Sequence, residues 1–258
     1  MSRKRNKIIL AAALLVILIS LCIVYTVRNR GTIADGAATD EAETGNGNGI
    51  TVTRSDKFRE AEDKELLKTY RAMKEYNPDF AGFVRIEGTE LEYPVMYTPY
   101  EPEKYLHMDI SGEYSDRGLP FIDARCDLEP ESDNIIIYGH DMKDGSMFKS
   151  LIEYQDRSYF EKHPVICFDL VDEIREYEVM SVFYDRVYYE DEDVFKFYNF
   201  IKAAGEDEYR EAVEHYLEKS LYDTGVRAQY GDRLITLVTC SYQTENGRFA
   251  VVARKKSM

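Results

Sequence analysis

Eight short apolar segments, each bounded by turn-forming residues, set the strongest limit on how this chain can fold. They lie at 82–86 (GFVRI), 91–96 (LEYPVM), 119–123 (LPFID), 134–139 (NIIIYG), 165–170 (VICFDL), 174–186, 233–240 (RLITLVTC) and 248–254 (RFAVVAR). Most are too short for an ordinary helix and rich in β-branched and aromatic residues, so the pattern predicts strands. Eight such strands with helices between them imply a mainly β fold, a mixed β-barrel decorated by helices. Pro94 falls inside the second segment. A proline has no N–H for a ladder, which places an edge or a bulge there.

Two stretches follow the helical period instead. In 55–76, Leu66, Leu67, Tyr70 and Met73 recur at helical spacing, and Asn77-Pro78-Asp79 stops the run. In 207–221, Tyr209, Ala212, Val213, Tyr216, Leu217 and Leu221 form one apolar face. No internal repeat, glycine-rich phosphate loop or EF-hand pattern is present.

Ahead of this region, residues 8–27 (IILAAALLVILISLCIVYTV) carry no charge. At ~1.5 Å per residue a helix of that length spans the ~30 Å hydrocarbon core of a bilayer. Four basic residues precede the run and two follow it, which orients the N-terminus to the cytoplasm and the rest outside. Residues 31–53, rich in Gly, Ala, Thr, Asn and acids, read as a flexible tether. The expected organisation is therefore a cytoplasmic tail (1–7), a single-pass membrane anchor (8–27), a linker (28–53) and one folded domain (54–258).

The chain carries 33 basic and 48 acidic residues. Six of the bases fall within residues 1–30, which hold no acid, so the remainder sets 27 bases against 48 acids. Such a surface repels phosphate backbones and disfavours a nucleic-acid partner. Of the four cysteines, Cys22 lies in the uncharged run, leaving Cys126, Cys167 and Cys240 for the folded part. An odd number leaves at least one thiol free, and no spacing matches a zinc site. The acidic cluster 190–193 lacks calcium-loop spacing and reads as a solvated face. No metal or cofactor is implied.

Cys240 ends an apolar strand and opens a polar loop, a position from which a side chain reaches a barrel rim. A thiol there needs activation, because the thiolate is the attacking species and imidazole its usual partner. Among four histidines, His215 lies on the charged side of a helix, and His107 and His163 occupy irregular or boundary positions. His140 instead caps an apolar strand and opens the loop His140-Asp141-Met142-Lys143-Asp144-Gly145. Arg248 opens the strand that follows Cys240. A guanidinium stays charged and cannot serve as a base, so it suits oxyanion or carbonyl binding. Arg254 is a second candidate, at the far end of that strand. Spacing alone leaves open a plainer alternative: a buried cysteine with an unrelated surface histidine and arginine.

TLVTC at 236–240, followed after seven residues by Arg248 in GRFAVV, and NIIIYGHDMKDGSMF at 134–148, resemble the signature segments of class B sortases. NPDFAGFVRIEGTELEYPVM at 77–96 and GLPFIDARC at 118–126 are similar to further class B patterns, so the likeness runs from about residue 58 to the C-terminus. It implies an eight-stranded sortase-type barrel with an N-terminal helical extension and a long helix before the last two strands. It also implies an extracytoplasmic cysteine transpeptidase of a Gram-positive bacterium. Its partners would be secreted proteins bearing a C-terminal sorting signal, of Asn-Pro-x-Thr or Ser/Pro-Pro-x-Thr-Gly type. The acceptor would be an amine of a peptidoglycan precursor or cross-bridge.

In that scheme Cys240 cleaves after Thr and holds the product as a thioester, His140 protonates the leaving amine, and Arg248 binds the substrate backbone and oxyanion. Thr239, Ser241, Tyr242 and Asp141 are expected to line the groove, and Cys126 and Cys167 to be structural. Two departures are visible: Tyr242 stands where some class B members carry an acid, and Val238 where some carry Ser. A thiol endopeptidase or a pilin-polymerising enzyme would use the same three residues, and a silent binding module would retain them without turnover.

Overall fold

A computed structural model describes residues 54–256. Among the described residues the chain divides into two units between Arg71 and Ala72. Helix α1 spans Arg54–Tyr76. At its C-terminal end Asn77 N–H donates to the Met73 carbonyl, and Lys74 Nζ reaches the Phe80 carbonyl at 2.9 Å. The second unit is a closed barrel of β1 (Phe80–Arg85), β2 (Glu92–Met96), β3 (Phe121–Ile122), β4 (Asn134–Tyr138), β5 (Val165–Leu170), β6 (Glu176–Arg186), β7 (Leu234–Cys240) and β8 (Gly247–Lys255). Around the barrel the order is β1-β2-β3-β4-β7-β8-β6-β5, with β5 pairing back to β1.

The eight predicted strands are all present, and most pairs are antiparallel. Two are parallel: β2 with β3, which meet only at Met96↔Phe121, and β4 with β7 along five residues. Pro94 lies opposite Phe83 in β1, on a stretch of β2 whose other side has no ladder partner, as a strand-edge proline requires. The bulge nearby falls in β1, between Phe80 and Gly82.

Strand β4 is buried on both faces: Ile135, Ile136 and Ile137 are all inaccessible. One face meets the barrel interior, and the other is covered by the long segment between β6 and β7. That segment contains helix α3 (Glu206–Lys219), which packs on β6, with Tyr216 stacked on Phe183 at 5.9 Å. Each large side chain fully buried here contributes roughly 1.5–3 kcal/mol. A buried polar chain pins the cover in place. Thr236 donates to Asn134 Oδ1 at 2.9 Å, Asn134 Nδ2 to the Phe200 carbonyl at 2.9 Å, and Tyr216 to the Phe197 carbonyl at 3.0 Å. Helix α3 ends earlier than its apolar face predicts, because Leu221 leaves it to donate its N–H to the Val182 carbonyl of β6 at 2.7 Å. Helix α2 (Arg157–Lys162) and short 3-10 helices at 104–107, 149–155 and 197–199 had no periodic signal.

The single-pass membrane placement, with the N-terminus in the cytoplasm and the catalytic domain outside, is not upheld. Among the described residues no helix is long and apolar enough to cross a membrane. The run 8–27 and the linker 28–53, on which that placement rested, lie outside the described residues.

Candidate active site

Strand order brings three distant residues to one rim. β4 and β7 run parallel with Tyr138 opposite Val238, so the next positions of both leave the barrel at the same end. Gly139 N–H extends the ladder to the Val238 carbonyl at 3.0 Å, and Thr239 Oγ1 donates to the Gly139 carbonyl at 2.8 Å. His140 and Cys240 follow directly. β8 runs antiparallel on the other side of β7 and sets Arg248 opposite Cys240. Directly opposed residues project to the same face of a sheet. All three side chains are partly exposed and line one cavity of about 610 Å³.

The imidazole of His140 is anchored by a backbone group. Its Nε2 lies 2.9 Å from the carbonyl of Leu106. A carbonyl only accepts, so Nε2 carries the proton and Nδ1 is the nitrogen left with a free lone pair. Gly118 permits that arrangement: its φ is +55°, and a Cβ there would sit 2.3 Å from the Leu106 oxygen. Gly139 is similarly confined, since a Cβ would meet the buried Phe148 ring at 2.5 Å. Phe148 N–H in turn donates to the His140 carbonyl at 2.9 Å, closing the loop after β4.

Cys240 is a free, partly exposed thiol. Cys126 and Cys167 are also free but buried, and burial pushes their thiols up to about 12 and about 11. Both are thereby kept from forming thiolate near neutral pH. Arg248 spends Nη1 on the carbonyls of Gly247 (2.9 Å) and Asn246 (3.3 Å). Its Nε and Nη2 make no hydrogen bond among the described residues. Arg254, at the far end of β8, is bonded to Glu178 and the Arg227 carbonyl.

Of the four groove-lining candidates, Thr239 alone lines the cavity. Ser241 is buried, with its N–H on the Gly247 carbonyl at 2.9 Å, a bond that turns the chain back into β8. Tyr242, beyond that bond, projects to solvent at 81% exposure. Asp141 is turned inward onto Lys149 at 3.1 Å. His163 bonds the Glu87 carbonyl, and His215 stacks on Phe195, both outside this cavity.

Several lining residues were passed over in the sequence. The walls are largely apolar, with Leu106, Leu119, Phe121, Val187, Phe197 and Val238. Asp123 and Arg125 add a charged brace. Arg125 binds Asp123 through Nε (2.9 Å) and Nη2 (2.7 Å), then reaches Asn199 Oδ1 (3.0 Å) and the Tyr198 carbonyl (2.7 Å). Tyr138 adds a bond to Asp123 at 3.0 Å. Burial alone would raise the Asp123 carboxyl, but these donors outweigh it and hold it below the usual carboxylate range. The brace ties the β6–β7 segment to the rim beside His140. Its signal in the sequence was the Asp-Ala-Arg of GLPFIDARC.

A family model described as the sortase domain matches residues 84–256. The chain belongs to the sortase family. The sortase B of Listeria monocytogenes is 31% identical over 238 residues, 88% of this chain and 85% of that protein. The solved Staphylococcus aureus sortase B–substrate complex superposes with a TM-score of 0.67 at 27% identity, covering 78% of this chain and 92% of that one. A sortase B complexed with triglycine gives the same score and identity, over 78% and 93%. These relatives place the sortase in class B, as a cysteine transpeptidase on the eight-stranded barrel of its family.

Proposed function

We propose that this sortase cleaves a C-terminal sorting motif after Thr through Cys240, with His140 and Arg248, and transfers the product to a peptidoglycan-type amine. The register of β4, β7 and β8, which gathers the three residues around one cavity, carries the reading. The thiol proton passes to Nδ1 of His140, and the thiolate attacks the Thr carbonyl carbon. Nε and Nη2 of Arg248 are the donors available to the developing oxyanion. As the C–N bond breaks, Nδ1 returns its proton to the leaving amine, and a thioester on Sγ remains. The acceptor amine then attacks the thioester, its proton goes to Nδ1, and Cys240 leaves as thiolate. The Leu106 carbonyl supports this cycle, because by occupying Nε2 it leaves Nδ1 as the ring nitrogen that exchanges protons.

A substrate complex and a triglycine complex of related enzymes support a peptide donor and an amine acceptor. The test incubates the full chain and its Cys240→Ala variant with Asn-Pro-x-Thr and Ser-Pro-x-Thr-Gly peptides, with and without triglycine, and follows protein and peptide masses. A thioester adduct on the parent only, resolved to an amide by triglycine, is the expected result. Cleavage indifferent to any amine acceptor would make the enzyme a thiol endopeptidase, and no adduct with any peptide would remove the proposed donor specificity.

A further inference from the structure

The structure assigns His107 a positioning role: its ring holds the plane of the His140 imidazole. The inference rests on the reading above, in which His140 gives and takes the proton. His107 ends the short 3-10 helix that also presents the Leu106 carbonyl. Its ring lies against that of His140, with centroids 5.6 Å apart and planes 26° apart. Tyr114 stacks on His107 in turn, at 6.0 Å and 26°. The Tyr114 hydroxyl donates to Asp116 at 2.6 Å, which fixes the outer end. The result is a stack of three flat rings that ends on the proton-transfer group.

A built segment carries the stack. Ser115 N–H bonds the His107 carbonyl at 3.1 Å, Met108 pairs with Tyr114, and Asp109 N–H bonds the Glu113 carbonyl at 2.9 Å. Asn77 Nδ2 holds the tip through the Ile110 carbonyl at 2.9 Å.

One hydrogen bond fixes a point on a ring, not its plane. The χ2 torsion of histidine is broad and roughly two-fold. Rotation about Cβ–Cγ moves Nδ1 farther than Nε2, so the Leu106 bond alone leaves the working nitrogen the freer one. A flat ring against the imidazole face removes that freedom, and aromatic pairs prefer such offset stacking. His107 touches no substrate in this account. It acts through His140.

The test compares His107→Ala and His107→Phe with the parent full chain. In His107→Ala, kcat for transfer falls on the order of tenfold with KM unmoved, because small misplacements of a catalytic group cost one to two orders of magnitude. His107→Phe, which keeps a flat ring, restores the rate. Nitrogen NMR of the histidine side chains, with His140 assigned by its absence in His140→Ala, shows a single Nε2–H tautomer in the parent and in His107→Phe. The same signal is exchange-averaged in His107→Ala. An unchanged kcat in His107→Ala, a His107→Phe variant as slow as His107→Ala, or an unaltered His140 signal would each overturn the assignment. Turnover retained in His140→Ala would remove the reading beneath it, and the assignment with it. A dead His140→Ala beside a fully active His107→Ala would remove the assignment alone.

Discussion

Replacing Gly118 by alanine tests how closely the barrel rim is tied to the chemistry. Gly118 has φ +55°, and a Cβ built there falls 2.3 Å from the Leu106 oxygen and 2.4 Å from that of Tyr105. Left-handed backbone costs an alanine roughly 1–2 kcal/mol. Forcing a methyl against two backbone oxygens adds roughly 1–3 kcal/mol, since neither is the mobile end of a side chain. The combined loss is about 2–5 kcal/mol. For a domain of this size each kcal/mol lowers Tm by roughly 2–4 °C, so a drop of about 4–20 °C is expected. Relief of the clash displaces Leu106, whose oxygen is the partner of His140 Nε2. Single-turnover thioester formation should therefore slow by at least about tenfold at a temperature where the variant is folded. Circular dichroism melts and mass-resolved acylation measure the two effects. A Tm equal to the parent's would refute the steric argument. A normal acylation rate in a destabilised variant would refute the link from Leu106 to His140.

Other perturbations separate the remaining parts of the site. Arg248→Lys should lose about 10²–10³ in kcat, because an ammonium cannot replace donors aimed from a planar fork; steady-state transfer rates near the parent's would exclude a guanidinium-specific role. Iodoacetamide at mildly alkaline pH should label Cys240 and spare Cys126 and Cys167, whose thiols burial holds up at about 12 and about 11; peptide mapping that finds all three modified in the folded protein would contradict their inertness. The Asp123 carboxyl is held below its unfolded value of about 3.9, so its contribution to stability is present above that pH and lost as pH falls through its folded value. Urea midpoints should therefore decline more steeply below about pH 4 in the parent than in Asp123→Asn, and parallel declines would show the brace to be energetically silent.

The strands were readable because each is a short, β-branched run cut by turn residues, and their boundaries shift by only a residue or two. Cys240, His140 and Arg248 stood out for the same reason: each sits where an apolar run meets a polar loop. What escaped was whatever depends on backbone groups or on contacts across the fold. The anchor of His140 is the carbonyl of Leu106, an atom every residue possesses, so no residue type could announce it. The helix 104–107 that supplies it is a single turn with no period to detect. Tyr242 and Ser241 were expected in the groove beside Cys240, yet the Ser241–Gly247 bond turns the chain immediately after Cys240. Asp141 faces Lys149 instead of the cavity, since the loop after His140 folds back through Phe148. Arg125 belonged to a motif noticed in the sequence, but its partners Tyr198 and Asn199 lie more than seventy positions away.

The parallel pairing of β4 with β7 joins residues a hundred positions apart, and on the proposed mechanism it sets when acylation first becomes possible. A ribosome delivers His140 long before Cys240, and Arg248 later still. Contacts of such long range form late, after the closure of a large loop has been met by other interactions. Until the barrel closes, Cys240 is therefore held apart from His140 and Arg248. On the proposed mechanism, acylation by Cys240 waits on barrel closure, because only the closed barrel brings His140 and Arg248 to the same rim.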